Sequence, residues 1–244
     1  MNVLRRWWWL ILMLMVAVAT SFYCAFQWGF LRFNYPDQAV YPVQGLDVSH
    51  HQGEIDWQAI NAQADQPKYR FVFIKATEGG DFKDPRFVRN WESAKNAGFK
   101  VGAYHFYRNC KSGREQAQNF IDSVPKQTDS LPPVIDLEFM GNCENDLTTA
   151  QLQAEIRSMA VALEQHYQQK PIFYVTQDYY AMYLQQGFEE YPLWYRDIFQ
   201  RPKIAAGRPW LFWQYSHRGR VNGIDGVVDL NTFNGSVADF EARF

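Results

Sequence analysis

The chain has 244 residues, of which 47% are hydrophobic, 17% aromatic and 20% charged. That length and composition suit one large α/β or all-β domain plus an appendage, and they exclude a disordered, collagenous or disulfide-scaffold protein. The formal net charge is −2; beyond residue 31, with Arg5 and Arg6 left behind, 22 basic side chains stand against 26 acidic ones, a balance that leaves no basic face for a phosphate backbone and no expectation of a nucleic-acid partner.

Residues 7–31 read WWWLILMLMVAVATSFYCAFQWGFL without a single charge, more than the ~20 residues that cross a bilayer core as a helix. Trp7, Trp8 and Trp9 at one end and Trp28 near the other suit the two interfacial belts, and Arg5 and Arg6 hold residues 1–6 in the cytoplasm. A single-pass membrane anchor is predicted, with everything after it periplasmic or extracellular. A cleaved signal peptide is the alternative, because Ala17-Val18-Ala19 is a small-x-small site, but apolar sequence continues past it. Cys24 follows Phe22-Tyr23, where a lipoprotein signal needs small residues. Residues 32–42, interrupted by Pro36 and Pro42, are expected as a linker, its 32–41 segment reaching at most ~35 Å when extended.

From residue 43 to 244 short apolar runs alternate with helical patterns. Strands are predicted at 44–49, 71–76, 100–107, 133–138, 171–175, 193–195, 211–215 and 227–230, and helices at 56–64, 85–97, 113–124 and 148–168. Asp56 is a cap for the first helix, and Ser112 with Glu115 three residues later reads as a capping box for the third. FVFIKA and PPVIDLE are apolar on both faces, as in strands covered by helices outside and packed inside a barrel. The expected fold is therefore α/β, a distorted parallel (β/α) barrel of eight strands with an irregular second half. Of the three cysteines Cys24 lies in the span. An oxidising compartment would permit a bridge between Cys110 and Cys143, with two unpaired thiols as the alternative; their places just past the third and fourth strands favour the bridge. No Cys/His spacing suggests zinc. His50 and His51, read as neighbours on a strand, would point to opposite faces, so neither a metal nor a cofactor is expected.

A parallel barrel gathers its reactive groups at the carboxyl ends of its strands. Asp47 lies near the end of the first predicted strand, Asp136 and Glu138 close the fourth, and Asp229 lies near the end of the eighth. First and eighth strands are neighbours in a closed barrel, so Asp47 and Asp229 should meet. Asp136 and Glu138 share one pleat face and should point into the mouth, with Ile135 and Leu137 facing outward. Carboxylates crowded in a partly desolvated mouth repel, which keeps at least one protonated near neutrality, the requirement for a general acid in glycosidic-bond cleavage. Tyr104, Tyr107, Tyr174, Trp194, Trp213 and Tyr215 at strand ends are candidate stacking surfaces for sugar rings.

These residues sit in motifs that together resemble one family. GLDVSHHQGEIDW at 45–57, FIKATEG at 73–79, GAYHFY at 102–107, PPVIDLE at 132–138 and FWQYS…GRVNGIDGVVDLN at 212–231 are similar to the glycoside hydrolase family 25 lysozymes, muramidases built on a distorted (β/α) barrel. The resemblance runs in order over 45–235. It implies Glu138 as catalytic acid, Asp136 as its partner, Asp47 and Asp229 as the acids of the first and last strands, and Lys75, Glu78 and Gln214 among the substrate contacts. It also implies hydrolysis of the β-1,4 bond between N-acetylmuramic acid and N-acetylglucosamine, with peptidoglycan as the partner outside the membrane. Two features depart from the family pattern: Leu193-Trp194-Tyr195-Arg196-Asp197-Ile198 stands where Leu-Trp-x-Ala-x-Tyr is common, and the Cys110/Cys143 pair is additional. Two other readings compete. One is a membrane-anchored glycan-binding barrel without turnover. The other is a chitinase-like hydrolase, whose fourth strand also ends in Asp-x-Glu but lies in a longer acidic run than Leu131-Pro132-Pro133-Val134-Ile135 supplies.

Overall fold

A computed structural model describes residues 2–31, 34–62 and 68–244, with side chains from Arg6 onward. Met1, the Arg5 side chain, the linker residues Arg32 and Phe33, and Gln63 and Ala64 at the end of the first expected barrel helix lie outside the described residues. Helix α1 (Asn2–Gln27) carries the apolar stretch Arg6–Gln27, long and apolar enough to cross a membrane. Its side chains are exposed from Arg6 to Tyr23, while the last turn, from Cys24 to Gln27, is half-buried against the rest of the chain.

Residues 34–41 do not form the free tether expected of them. Asn34 donates to Asp197 O at 3.2 Å, Tyr35 packs edge-on against Tyr215 at 5.1 Å, and Tyr41 tilts over Trp210 at 5.6 Å. These aromatics bury themselves on the barrel wall, so the segment is a docked strap whose reach is far below the extended-chain limit.

After the strap come β1 (Gln44–Val48), α2 (Trp57–Ile60), β2 (Tyr69–Glu78), the two-residue β3 (Phe82–Lys83), α3 (Phe87–Asn96), β4 (Lys100–Phe106), α4 (Gly113–Ile121), β5 (Val134–Leu137) and α5 (Thr149–Tyr167). The second half holds β6 (Ile172–Thr176), α6 (Gln177–Tyr179) with a π-helical turn at Tyr180–Leu184, β7 (Leu193–Arg196), β8 (Phe212–Gly219), β9 (Val228–Phe233) and α7 (Val237–Arg243). The order β1-β9-β8-β7-β6-β5-β4-β2, closed by β1–β2 pairing, makes an eight-stranded barrel, and β3 adds to the free edge of β2. Asp56 and Ser112 cap as expected, through Ala59 N and Glu115 N. Full capping boxes occur instead at Thr148 with Gln151 and Ser236 with Asp239.

One expectation about topology is corrected. β9 runs antiparallel to both β1 and β8. Only residues 220–227 connect β8 to β9, and a parallel crossover needs a dozen or more; the chain must therefore turn back. Because β9 starts at the mouth, Asp229 reaches the site from the beginning of its strand.

The barrel interior is filled by aromatic rings. Phe73 stacks on Trp194 at 4.6 Å, Phe71 tilts against Phe212 at 4.9 Å, and Phe240 of α7 closes the far end 5.7 Å from Phe71. Such bulk requires glycine where the wall comes closest: a Cβ on Gly45 would lie 2.3 Å from the Phe71 ring, and one on Gly102 2.6 Å from that of Phe73. Outside the barrel, Leu46, Ile74, Ile135 and Leu137 pack against Phe120, Leu152, Ile156 and Leu163 of the helices, each fully buried side chain contributing on the order of 1.5–3 kcal/mol.

Candidate active site

The mouth encloses a cavity of about 200 Å³ that brings together Asp47, Asp136, Glu138 and Asp229, with Lys75, Tyr104, Tyr174, Trp194 and Gln214 also on its wall. Strand register explains the convergence. Asp47 of β1 is the cross-strand partner of Asp229 of β9, and Asp136 of β5 is level with Tyr174 of β6. Glu138 follows the last residue of β5, on the same side as Asp136, where solvent begins.

Asp47 sits inside a network of neutral donors. Its Oδ2 accepts from Asn231 Nδ2 at 2.7 Å and from Gln214 Nε2 at 3.1 Å. Gln214 Oε1 in turn accepts from Tyr174 OH at 2.9 Å, and Asn231 Oδ1 from Trp194 Nε1 at 2.8 Å. Burial raises the Asp47 carboxyl above its ordinary value, and these amide donors and the hydrogen bond to Asp229 pull against that. Asp229 is pushed up further, by burial and by the charge and hydrogen bond of Asp47. Two carboxyls this close resist ionising together, and the donors on Asp47 favour the charge on its side of the pair.

Asp136 is raised well above the carboxylate range, first by burial and then by Glu138, with Lys75 opposing. Its Oδ1 is buried and has no hydrogen-bond partner among the described residues, an arrangement that costs ~1–3 kcal/mol unless a ligand engages the atom. Glu138 is raised from 4.5 to about 7, mainly by burial, with Arg196 opposing. A carboxylic acid half-protonated near neutrality, at the rim and beside a second carboxyl, can give its proton to a leaving oxygen.

Lys75 Nζ donates to Glu78 Oε2 at 2.7 Å, and Arg108 reaches Glu78 Oε1 at 3.3 Å. Residues three apart face opposite ways on a regular strand; the β2–β4 register slips between Lys75 and Thr77, and this bulge lets Lys75 and Glu78 meet. Glu78 holds Lys75 and Arg108 at the rim without lining the cavity itself.

Three candidate sugar platforms lie elsewhere. Trp213 and Tyr215 flank Gln214 on β8, so alternation turns them outward when Gln214 faces in. Trp213 Nε1 donates to Asp197 O, and Tyr215 OH to Gln44 Oε1. Tyr107, one residue past β4, is buried among the outer core residues. Trp194 lines the cavity, but its stack on Phe73 makes it a floor. Tyr104 and Tyr174 remain as walls.

His50 and His51 lie on a 3-10 turn, not a strand, and their rings are 4.1 Å apart. His50 Nδ1 is held by Asp84 Oδ2 at 2.7 Å, and His51 lines the cavity. Cys110 and Cys143 are joined, with a Cα–Cα distance of 5.8 Å. Beside them Asn142 Nδ2 donates to Glu138 O at 2.9 Å and to Tyr107 O at 2.8 Å, so the bridge and this amide together hold the loop that carries Glu138. Asn231, Asn142 and the electrostatic part of Arg196 were not among the residues expected. Asn231 had a signal, since it stands two residues after Asp229 and so shares its face; Asn142 had none, because it bonds backbone oxygens, one on its own loop and one 35 residues away.

Residues 46–224 match the model of the family described as Glycosyl hydrolases family 25. The chain belongs to that family. The curated protein YegX of Escherichia coli K12 is 38% identical over 205 residues, covering 84% of this chain and 74% of YegX. Lysozyme M1 of Streptomyces globisporus is 36% identical over 207 residues, 80% of this chain and 69% of its own length. Among solved structures, a family 25 glycosyl hydrolase from Bacillus anthracis superimposes with a TM-score of 0.80 at 37% identity, covering 87% of this chain and 97% of that one.

Proposed function

We propose that this family 25 chain is a membrane-anchored lysozyme that hydrolyses the β-1,4 bond between N-acetylmuramic acid and N-acetylglucosamine in peptidoglycan. Glu138 is the general acid and Asp136 its partner, and Asp47 with Asp229 supplies fixed negative charge. The observation that carries this reading is the pairing of a rim carboxyl raised to about 7 with a deeper, more strongly raised one in the same cavity. Similarity to a protein named lysozyme supports the substrate.

In this reading Glu138 protonates the glycosidic oxygen as the C–O bond breaks, and the carboxylates below stabilise the oxocarbenium-like charge on the anomeric carbon. Water delivers its hydroxyl to that carbon and its remaining proton restores Glu138. Asp136 acts either on that carbon, on the attacking water or on the substrate's own N-acetyl oxygen. Product anomers read by NMR separate the second role from the other two, because inversion excludes a covalent or substrate-assisted intermediate.

Residues 7–31 form the retained anchor, and 43–244 the catalytic barrel on the periplasmic or extracellular side, where the polymer is. Turnover of purified peptidoglycan tests the activity: binding without release of reducing ends would leave a glycan-binding barrel, and preferential cleavage of chitin oligosaccharides a chitinase-like enzyme. Cell fractionation with amino-terminal sequencing tests the anchor, and a soluble mature chain beginning at Thr20 would overturn it.

A further inference from the structure

Among the described residues the amino-terminal helix meets the barrel at the carboxyl end of β8 and the loop after β7. The Arg218 guanidinium stacks on Phe26 at 3.8 Å and donates through Nε to Gln27 Oε1 at 3.3 Å. Arg220 lies over Phe30 at 4.8 Å and donates to Trp28 O. The turn runs so close to the barrel that a Cβ on Gly29, whose φ is +72°, would lie 2.0 Å from Arg218 O. Neither arginine makes an ion pair among the described residues. Beside them Phe199, on the loop after β7, is 78% exposed and shares a groove with Phe26 and Arg218; Trp28 and Phe30 are 60% and 63% exposed. In a chain of net charge −2, residues 196–220 hold six Lys and Arg against one acid.

The position of this patch follows from helix length. The apolar stretch Arg6–Gln27 has 22 residues, about 33 Å at ~1.5 Å per residue, close to the ~30 Å thickness of a hydrocarbon core. Phe26 and Gln27 then lie where hydrocarbon gives way to headgroups, and so do the groups that touch them. Exposed aromatics and arginines without a carboxylate partner are the side chains that this layer favours, the rings at the interface and the guanidinium forks on phosphate oxygens.

The geometry points to a second membrane contact made by the barrel itself: Phe199, Trp28 and Phe30 seat in the interface of the outer leaflet while Arg218 and Arg220 bind the phosphates of its lipid headgroups. This rests on the anchor reading above. It has a consequence for activity, because Gln214 of the cavity and Arg218 lie four residues apart on β8, about 13 Å. The footing holds the mouth at a fixed height beside the bilayer, so the strands cut are those nearest the membrane.

The test uses the full chain, with Cys24→Ser and Phe199→Cys, labelled with an environment-sensitive nitrobenzoxadiazole and reconstituted in nanodiscs containing phosphatidylglycerol. The expected result is a blue-shifted emission quenched by lipids spin-labelled near the headgroup. A label at Thr128→Cys, remote from the strap, should show neither effect. Adding Arg218→Glu and Arg220→Glu should abolish the quenching at residue 199 while the chain stays in the disc. If the chain enters the disc and the residue 199 label still reports water, the footing is refuted and the anchor survives. A chain that does not co-purify with the disc refutes both.

Discussion

Glu138→Gln is expected to abolish glycan cleavage and, above neutral pH, to make the protein more stable. The amide keeps the shape of the side chain and loses the transferable proton, a loss of ~10²–10⁴-fold in rate. The stability effect comes from burial. Glu138 ionises at about 7 in the fold against an ordinary 4.5; at ~1.4 kcal/mol per pH unit, holding its charged form above pH 7 costs ~3 kcal/mol relative to the unfolded chain. Solvent reaching this half-buried carboxylate screens part of that, leaving about 2 kcal/mol as the expected gain, or roughly 4–8 °C in Tm. Relief of the repulsion that raises Asp136 acts in the same direction. The sign with pH is fixed: a raised carboxyl contributes its full stability below about 4.5 and loses it as pH climbs through 7. The gap between variant and wild type should therefore open between pH 4.5 and 7 and vanish below it. Thermal unfolding followed by tryptophan fluorescence at pH 4, 6 and 8 measures this, alongside muropeptide release, whose wild-type rate should fall above about pH 7. A variant no more stable than wild type at pH 8, or one that still releases muropeptides at a near wild-type rate, refutes the assignment of Glu138 as a strained acid.

Three further outcomes are expected. Native thiol labelling should find Cys110 and Cys143 closed, and reduction should lower stability by roughly 3–4 kcal/mol for a 33-residue loop in the chain-entropy model; two freely reacting thiols would contradict the bridge. Asn231→Ala takes one donor from Asp47 and the acceptor from Trp194 Nε1, so it should destabilise by ~1–3 kcal/mol and slow cleavage; an unchanged urea midpoint would show that the network carries no weight. Gly45→Ala places a methyl 2.3 Å from the Phe71 ring and should cost ~1–3 kcal/mol through overpacking, with a paired Phe71→Leu, Gly45→Ala variant recovering part of the Tm if the clash is the cause.

Much was legible from residue patterns. Apolar runs such as FVFIKA and PPVIDLE marked strands buried on both faces, and β2 and β5 occupy those places because only a barrel wall covered by helices hides both sides. The two-residue spacing of Asp136 and Glu138 set them on one face whatever surrounded them. The uncharged run at 7–31 was read as one long helix, and α1 covers it as far as Gln27, with a stretch long and apolar enough to cross a membrane. Tertiary structure decided what those local rules leave open. The direction of β9 followed from a connection too short to cross over, and it was this reversal that brought Asp229 to the mouth from the start of its strand. Trp213, Tyr215 and Tyr107 were read as sugar platforms from residue type, but the parity of β8 and β4 relative to the barrel axis turned them outward. The Asn142 contact to Tyr107 and the strap on the barrel wall join residues 35 and more than a hundred positions apart. Local propensity carries no information about such pairs, because their partners exist only once the barrel has closed.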